Sequence, residues 1–178
     1  MTYKKCIPIF RIKWPQLNFV IILGIDPGTT SIGYAMLDGK DYAPRLIEAG
    51  LLSIHSASRD HRFLELNNEL NRLLKKHKPG AVAIEQIFFS KNQKTAIAVA
   101  EARGAILLIT LLAGLRVYEY TPLEVKKTVT GYGQADKSQL RKMVRLTLPD
   151  TSKLLAGDDT FDAIAIALTC FYKLRHRH

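Results

Sequence analysis

Phe19-Val20-Ile21-Ile22-Leu23-Gly24-Ile25-Asp26 is the stretch on which the fold turns: a short apolar run that ends on an aspartate and meets Pro27-Gly28 at once. A run of this length, rich in β-branched residues and bounded by turn residues, predicts a strand over 19–26. A second run, Ala81-Val82-Ala83-Ile84, ends on Glu85 and predicts a buried strand over 81–86. Aspartate is depleted in strands, glutamate less so, and either is costly to bury unpaired. Both strand ends therefore call for something cationic.

Working outward, strands are predicted at 31–37, after a turn at Pro27 to Thr30, and at 45–54, beyond a loop through Gly39 and Pro44, which makes a three-strand meander. Phe63, Leu66, Leu70, Leu73 and Leu74 fall at helical spacing in 59–77, which Pro79 and Gly80 end. A helix over 93–113 stops at Gly114 and a strand over 115–120 follows. Thr121-Pro122-Leu123-Glu124 is a capping box with proline at the first helical position; Asp136 then caps a helix to Leu148, and Asp158 a last helix to about Tyr172. The order βββαβαβα with further helix, joined by right-handed crossovers, predicts an α/β, ribonuclease H-like fold: a five-stranded mixed sheet with helices on both faces. Residues 1–18, broken by Pro8, Trp14 and Pro15, read as an appendage to a single domain over 19–178. Thr95 to Leu112 is apolar, but Glu101 and Arg103 at its centre disfavour a membrane span, so it reads as a buried helix.

With 47% hydrophobic and 24% charged residues in 178, the chain has the composition of a globular protein rather than a disordered one. Lys and Arg number 26 against 16 acids, and the resulting net charge of +10 points to a polyanionic partner, nucleic acid first, with a merely solubilising surface as the alternative. Cys6 and Cys170 show no metal-ligand spacing, and the apolar run Cys6 to Phe10 is too short for a signal peptide. A reduced, cytoplasmic setting without membrane attachment is the simplest expectation.

Asp26 and Glu85 would sit near the carboxyl ends of neighbouring strands, where ligand crevices form in open α/β sheets, and within reach of one ion. Asp159 and Asp162, three apart at the start of a helix, share a face, while Ile164, Ile166 and Phe171 turn towards the core. An all-oxygen cluster favours Mg²⁺ or Mn²⁺, and two such ions about 3.5–4 Å apart can clamp a phosphodiester for hydrolysis. Each acid also has a plainer reading, Asp26 as a turn residue, Glu85 as a surface strand end, Asp158 or Asp159 as a helix cap. Lys137 enters a helix that bears Arg141, Lys142 and Arg145, a basic face suited to phosphate.

Ile22-Leu23-Gly24-Ile25-Asp26-Pro27-Gly28-Thr29-Thr30-Ser31-Ile32-Gly33-Tyr34 resembles the opening strand and turn of RuvC-type Holliday junction resolvases, the crossover junction endodeoxyribonucleases. So, in order, do the blocks at 83–92, Glu101-Ala102-Arg103-Gly104, 125–131, 136–139 and Asp159-Thr160-Phe161-Asp162-Ala163-Ile164-Ala165, over about residues 20 to 172. The first block alone is shared with sugar kinases and actin-like ATPases, but those need two such domains around a nucleotide. The resemblance implies a homodimer that binds a four-way DNA junction in recombination and repair. It implies paired symmetric nicks leaving 5′ phosphate and 3′ hydroxyl ends, and the RuvA–RuvB branch-migration complex as a partner. By motif, Asp26, Glu85, Asp159 and Asp162 are the catalytic, metal-binding acids for two Mg²⁺, with Mn²⁺ as a substitute; Asp158, next in line, leaves the register slightly open. Lys126 and Lys137 match basic residues near the scissile phosphate, Phe88 an aromatic that stacks on an unpaired base, and Arg103 and Arg141 join them as DNA-binding residues. Ala96, Ala98, Ala100, Ala102, Gly104 and Ala105 could build the dimer interface or pack within the monomer. The first 19 residues depart from the family pattern. A DNA or RNA binder that has lost catalysis, and a related nuclease of RNA processing, are the competing readings.

Overall fold

A computed structural model describes residues 20–28, 31–39, 43–86 and 93–175. The strands β1 (Ile21–Asp26), β2 (Gly33–Asp38) and β3 (Arg45–Leu51) form the meander; α1 (Arg59–His77), β4 (Ala81–Glu85), α2 (Gln93–Leu112) and β5 (Arg116–Tyr120) follow. The helices α3 (Pro122–Thr130), α4 (Lys137–Thr147) and α5 (Asp158–Arg175) complete the chain, with a 3₁₀ turn at Pro149–Lys153. The sheet order is β3-β2-β1-β4-β5. β1, the expected pivot, is central: it pairs antiparallel with β2, Asp26 opposite Gly33, and parallel with β4, Ile25 opposite Ile84.

Strand alternation divides the core. Ile22, Ala81 and Ala83 face a cluster built on α5, including Phe161, Ile164, Leu168 and Phe171. Leu23, Ile25, Val82 and Ile84 face the opposite cluster, where α1 contributes Leu66, Leu70, Leu73 and Leu74 and α2 contributes Ala102 and Ile106. Full burial of each such leucine contributes roughly 1.5–3 kcal/mol, which holds α1 in place despite its many exposed polar residues. Gly24 faces α5, and a Cβ there would run into the Ala163 carbonyl and Ala167. That missing side chain lets α5 lie directly on β1.

Helix ends follow local chemistry. Thr121 and Glu124 form the predicted capping box, and Gly131 closes α3 in the left-handed region at φ 78°. Asp136 caps α4 as expected, and Gln139 completes a second box. α1 ends on Lys78, whose φ of 49° sends its N–H back to Leu74 before Pro79 forbids another turn.

Three expectations are corrected. β3 leaves the ladder at Leu51 rather than continuing to 54. Asp158 is the first helical residue of α5 and not a cap ahead of it, and the helix runs past Tyr172 to Arg175. Nor is α2 a buried helix: Ala102, Ile106 and Thr110 are covered, but Ile97, Leu108, Leu111 and Leu112 are exposed, Leu112 by 78%. A helix apolar all round was read as surrounded, whereas in this monomer only one of its sides meets the protein. Among the described residues no helix is long and apolar enough to cross a membrane. Residues 1–18 lie outside the described residues.

Candidate active site

The β1–β4 ladder runs to Ile25 opposite Ile84, one residue short of Asp26 and Glu85. Alternation turns both acids to the α5 side of the sheet, because Ile22 and Ala83 face that way and Ile25 and Ile84 do not. α5 arrives there through Gly33, the ladder partner of Asp26: a Cβ on Gly33 would collide with the main-chain carbonyl of Asp159. With the first turn of α5 pressed onto this point, Asp159 and Asp162 are presented to Asp26. Carboxylate oxygens of Asp26, Asp159 and Asp162 all lie within 4.8 Å of one another.

Glu85 borders that close trio without being one of it. Its charge is still felt. Burial first, then Glu85, Asp162 and Asp159, push Asp26 up from 3.8 to about 8. Burial and then Asp162 push Glu85 from 4.5 to about 7, with Lys126 and Lys137 pulling the other way. Asp162 is also raised, by burial above all, against the pull of Lys137. Three acids held above their ordinary range mark a crevice in which negative charge is crowded and partly withdrawn from water.

The neighbouring cations are placed unequally. Lys137 at the start of α4 sets its amine 3.4 Å from Asp162 and 3.7 Å from Asp158. Burial disfavours its ammonium form, but Asp162, Asp158 and Asp159 outweigh that and raise its pKa. Lys126 on α3 is near enough to lower Glu85. Arg141, one turn beyond Lys137, pairs with Asp158, and the guanidinia of Arg141 and Arg145 lie 5.1 and 5.4 Å from the Phe161 ring centre. Asp158 is thus turned to α4 while Asp159 faces the other acids, which separates two adjacent residues that motif alone left open. Arg103 donates to the main-chain carbonyl of Glu85 and pairs with the side chain of Glu119. Phe88 lies outside the described residues.

Gly33, Glu119 and the Arg141 partnership of Asp158 escaped sequence reading. Gly33 stood inside the quoted motif, but nothing local says that a helix more than a hundred residues later will cover it.

A mixed five-stranded sheet in the order β3-β2-β1-β4-β5, covered on both faces and carrying acids at the carboxyl ends of its central strands, defines a ribonuclease H-like resolvase fold. The family model for crossover junction endodeoxyribonuclease RuvC matches residues 22–170, and the chain belongs to that family. A relative of this description from Roseiflexus sp. (strain RS-1) is 44% identical over 151 residues, covering 84% of this chain and 89% of its own. Another, from Brachyspira hyodysenteriae, is 45% identical over 150 residues, covering 84% and 92%. The structure of T. thermophilus RuvC in complex with Holliday junction substrate matches with a TM-score of 0.79 at 31% identity, over 88% of this chain and 96% of that one. The yeast mitochondrial Holliday junction resolvase Ydc2 shares the fold, with a TM-score of 0.67 at 14% identity.

Proposed function

We propose that this protein is a structure-selective endonuclease that resolves four-way DNA junctions in recombination and repair, by paired symmetric nicks that leave 5′ phosphate and 3′ hydroxyl ends. The observation that carries the reading is the convergence of Asp26, Asp159 and Asp162, with Glu85 alongside, in a chain of net charge +10. The donor set is all oxygen, half-buried and short of positive charge, which fits Mg²⁺ or Mn²⁺ and not zinc. Asp26, Asp159 and Asp162 would hold one ion, and Glu85 with Asp26 a second. When bound, such ions offset charge at the scissile phosphate and make water acidic enough to attack.

The chain's own groups divide the remaining work. Asp26 and Glu85, fixed at strand ends, set the position at which the phosphate meets its nucleophile, and the burial that raises their pKa values also keeps bulk water from screening the site. Lys137, half-exposed beside Asp162, is placed to hold a phosphate oxygen of the cut strand. Lys126 faces the same crevice from the Glu85 side. Arg141, Lys142 and Arg145 extend the positive face of α4, along which a duplex arm can lie.

Two cuts need two sites, and α2 supports a dimer. Ile97, Leu108 and Leu111 recur at helical spacing along its exposed side, and a Cβ at Gly104, on the same line, would meet nothing within 4 Å. An apolar stripe with a small residue at its middle suits a second copy of the same helix.

Incubating the purified protein with synthetic four-way junctions and Mg²⁺ tests the reading. Linear duplexes carrying ligatable nicks are expected. Junctions retarded but left intact would instead indicate a binding protein, and preference for an RNA precursor a different nuclease.

A further inference from the structure

Arg103 reaches the candidate site from behind. It stands on α2, on the sheet face opposite α5, and its side chain is only 17% exposed. Its Nε–H donates to the main-chain carbonyl of Glu85 at 3.2 Å, and its Nη2 pairs with Glu119. Glu119 is correctly placed for this, since Tyr118 and Tyr120 on β5 pack with the α5 cluster and alternation turns Glu119 towards α2.

The carbonyl that Arg103 grips has no strand donor opposite it, because Pro27, which follows Asp26 at the end of β1, lacks an N–H. The β1–β4 ladder ends at Ile84, while on the other flank the Gln86 N–H still reaches the Tyr120 carbonyl at 2.8 Å. Glu85 is paired with Tyr120 on the β5 side and follows the last β1–β4 pair on the other, so Arg103 completes the hold on a carbonyl at the strand's end. The Glu85 carboxylate faces α5, away from Arg103. Arg103 works on the main chain.

We propose that Arg103, oriented by Glu119, is a positioning residue that fixes the main chain of Glu85 for divalent-cation binding, and that it is not a DNA contact. The inference rests on the reading of Glu85 as a metal ligand. It gives α2 two tasks: its outer stripe suits a second copy, and its inner edge steadies the acid.

Mn²⁺ titration of the full chain without DNA, followed by thermal shift, and junction affinity measured in chelator separate the possibilities. Arg103→Ala should weaken Mn²⁺ binding about tenfold, the usual cost of losing an outer-shell partner, and leave junction affinity unchanged. Arg103→Lys, which keeps one donor, should restore part of the loss, and Glu119→Ala should reproduce it more weakly. Loss of junction affinity with Mn²⁺ binding intact would make Arg103 a DNA ligand and overturn the proposal, as would no change in either. If Arg103→Ala does not fold, Glu119→Ala decides by the same split. A parent protein that binds Mn²⁺ but ignores junctions would sink the nuclease reading and leave this inference standing on its own titration; a parent that binds no Mn²⁺ would sink both.

Discussion

Asp26 and Glu85 end neighbouring strands on the same side of the sheet, where burial and the charge of neighbouring acids disfavour ionisation. An acid whose folded pKa lies above its unfolded one binds a proton on folding, so stability is lost as pH rises between the two values. The windows are 3.8 to about 8 for Asp26 and 4.5 to about 7 for Glu85. Metal-free protein should accordingly melt at progressively lower temperature as pH rises across that span, and Mg²⁺ should stabilise more at pH about 8 than at about 6, because protons and cation compete for the same oxygens. Melting curves with Mg²⁺ or chelator at both values check this, and a cation effect independent of pH would contradict it. Asp26→Asn should cut junctions at least about 100-fold more slowly while keeping junction affinity at or above normal, since a carboxylate that repels phosphate is gone. The same change should raise the metal-free melting temperature at pH 8 by about 2–4 °C, the shift expected of a chain this size when 1 kcal/mol is recovered. Cleavage at the parental rate would remove Asp26 from the mechanism. At this scale the two strand-end acids were legible, because an acid closing an apolar run is out of place. Motif chose Asp159 over Asp158 with the register slightly open, and the pairing of Asp158 with Arg141 agrees with that choice, since neighbouring helical residues differ in heading by about 100°.

At the scale of elements, α5 is pressed onto β1 and β2 at Gly24 and Gly33, and the second of these sets the height of Asp159 over Asp26. Gly33→Ala should cost roughly 1–3 kcal/mol, as overpacking does, and should lower cleavage as well, because α5 must move off the sheet. Gly157→Ala is the control, since a Cβ there would meet nothing within 4 Å. Denaturant titration and cleavage assays of both variants decide it; equal behaviour of the two would mean that the close approach does not position the acids. The elements themselves were readable from period and punctuation: the strand runs, the Thr121 and Asp136 caps and the leucine spacing of α1 all recur in the structure. α2 was misjudged because its apolar residues occupy every side, and period carries no information about which side will be covered.

For the whole molecule, Lys126, Lys137, Arg141 and Arg145 border or extend from the acidic crevice, where on the proposed reading a polyanion would lie over the acids. Leu108→Glu on the outer stripe of α2 should leave the monomer's stability nearly unchanged, since Leu108 is 59% exposed. It should raise the dimer dissociation constant at least about tenfold, equivalent to 1.4 kcal/mol. Sedimentation velocity reads the assembly state, and paired incision should give way to single, uncoordinated nicks. A variant that remains dimeric would place the interface elsewhere.

The order of strands and helices, the sheet they compose, the strand-end acids and the positive charge were all determined by the chain's linear pattern, because period, caps and burial cost act over a few residues. What Arg103 holds, which partner turns Asp158 away from the cluster and which side of α2 remains uncovered were decided only in three dimensions. Those outcomes depend on the approach of α5 to Gly24 and Gly33 and on the one-sided layering of α2. Close approach between segments far apart in sequence leaves no local signature that a reader of the chain could weigh.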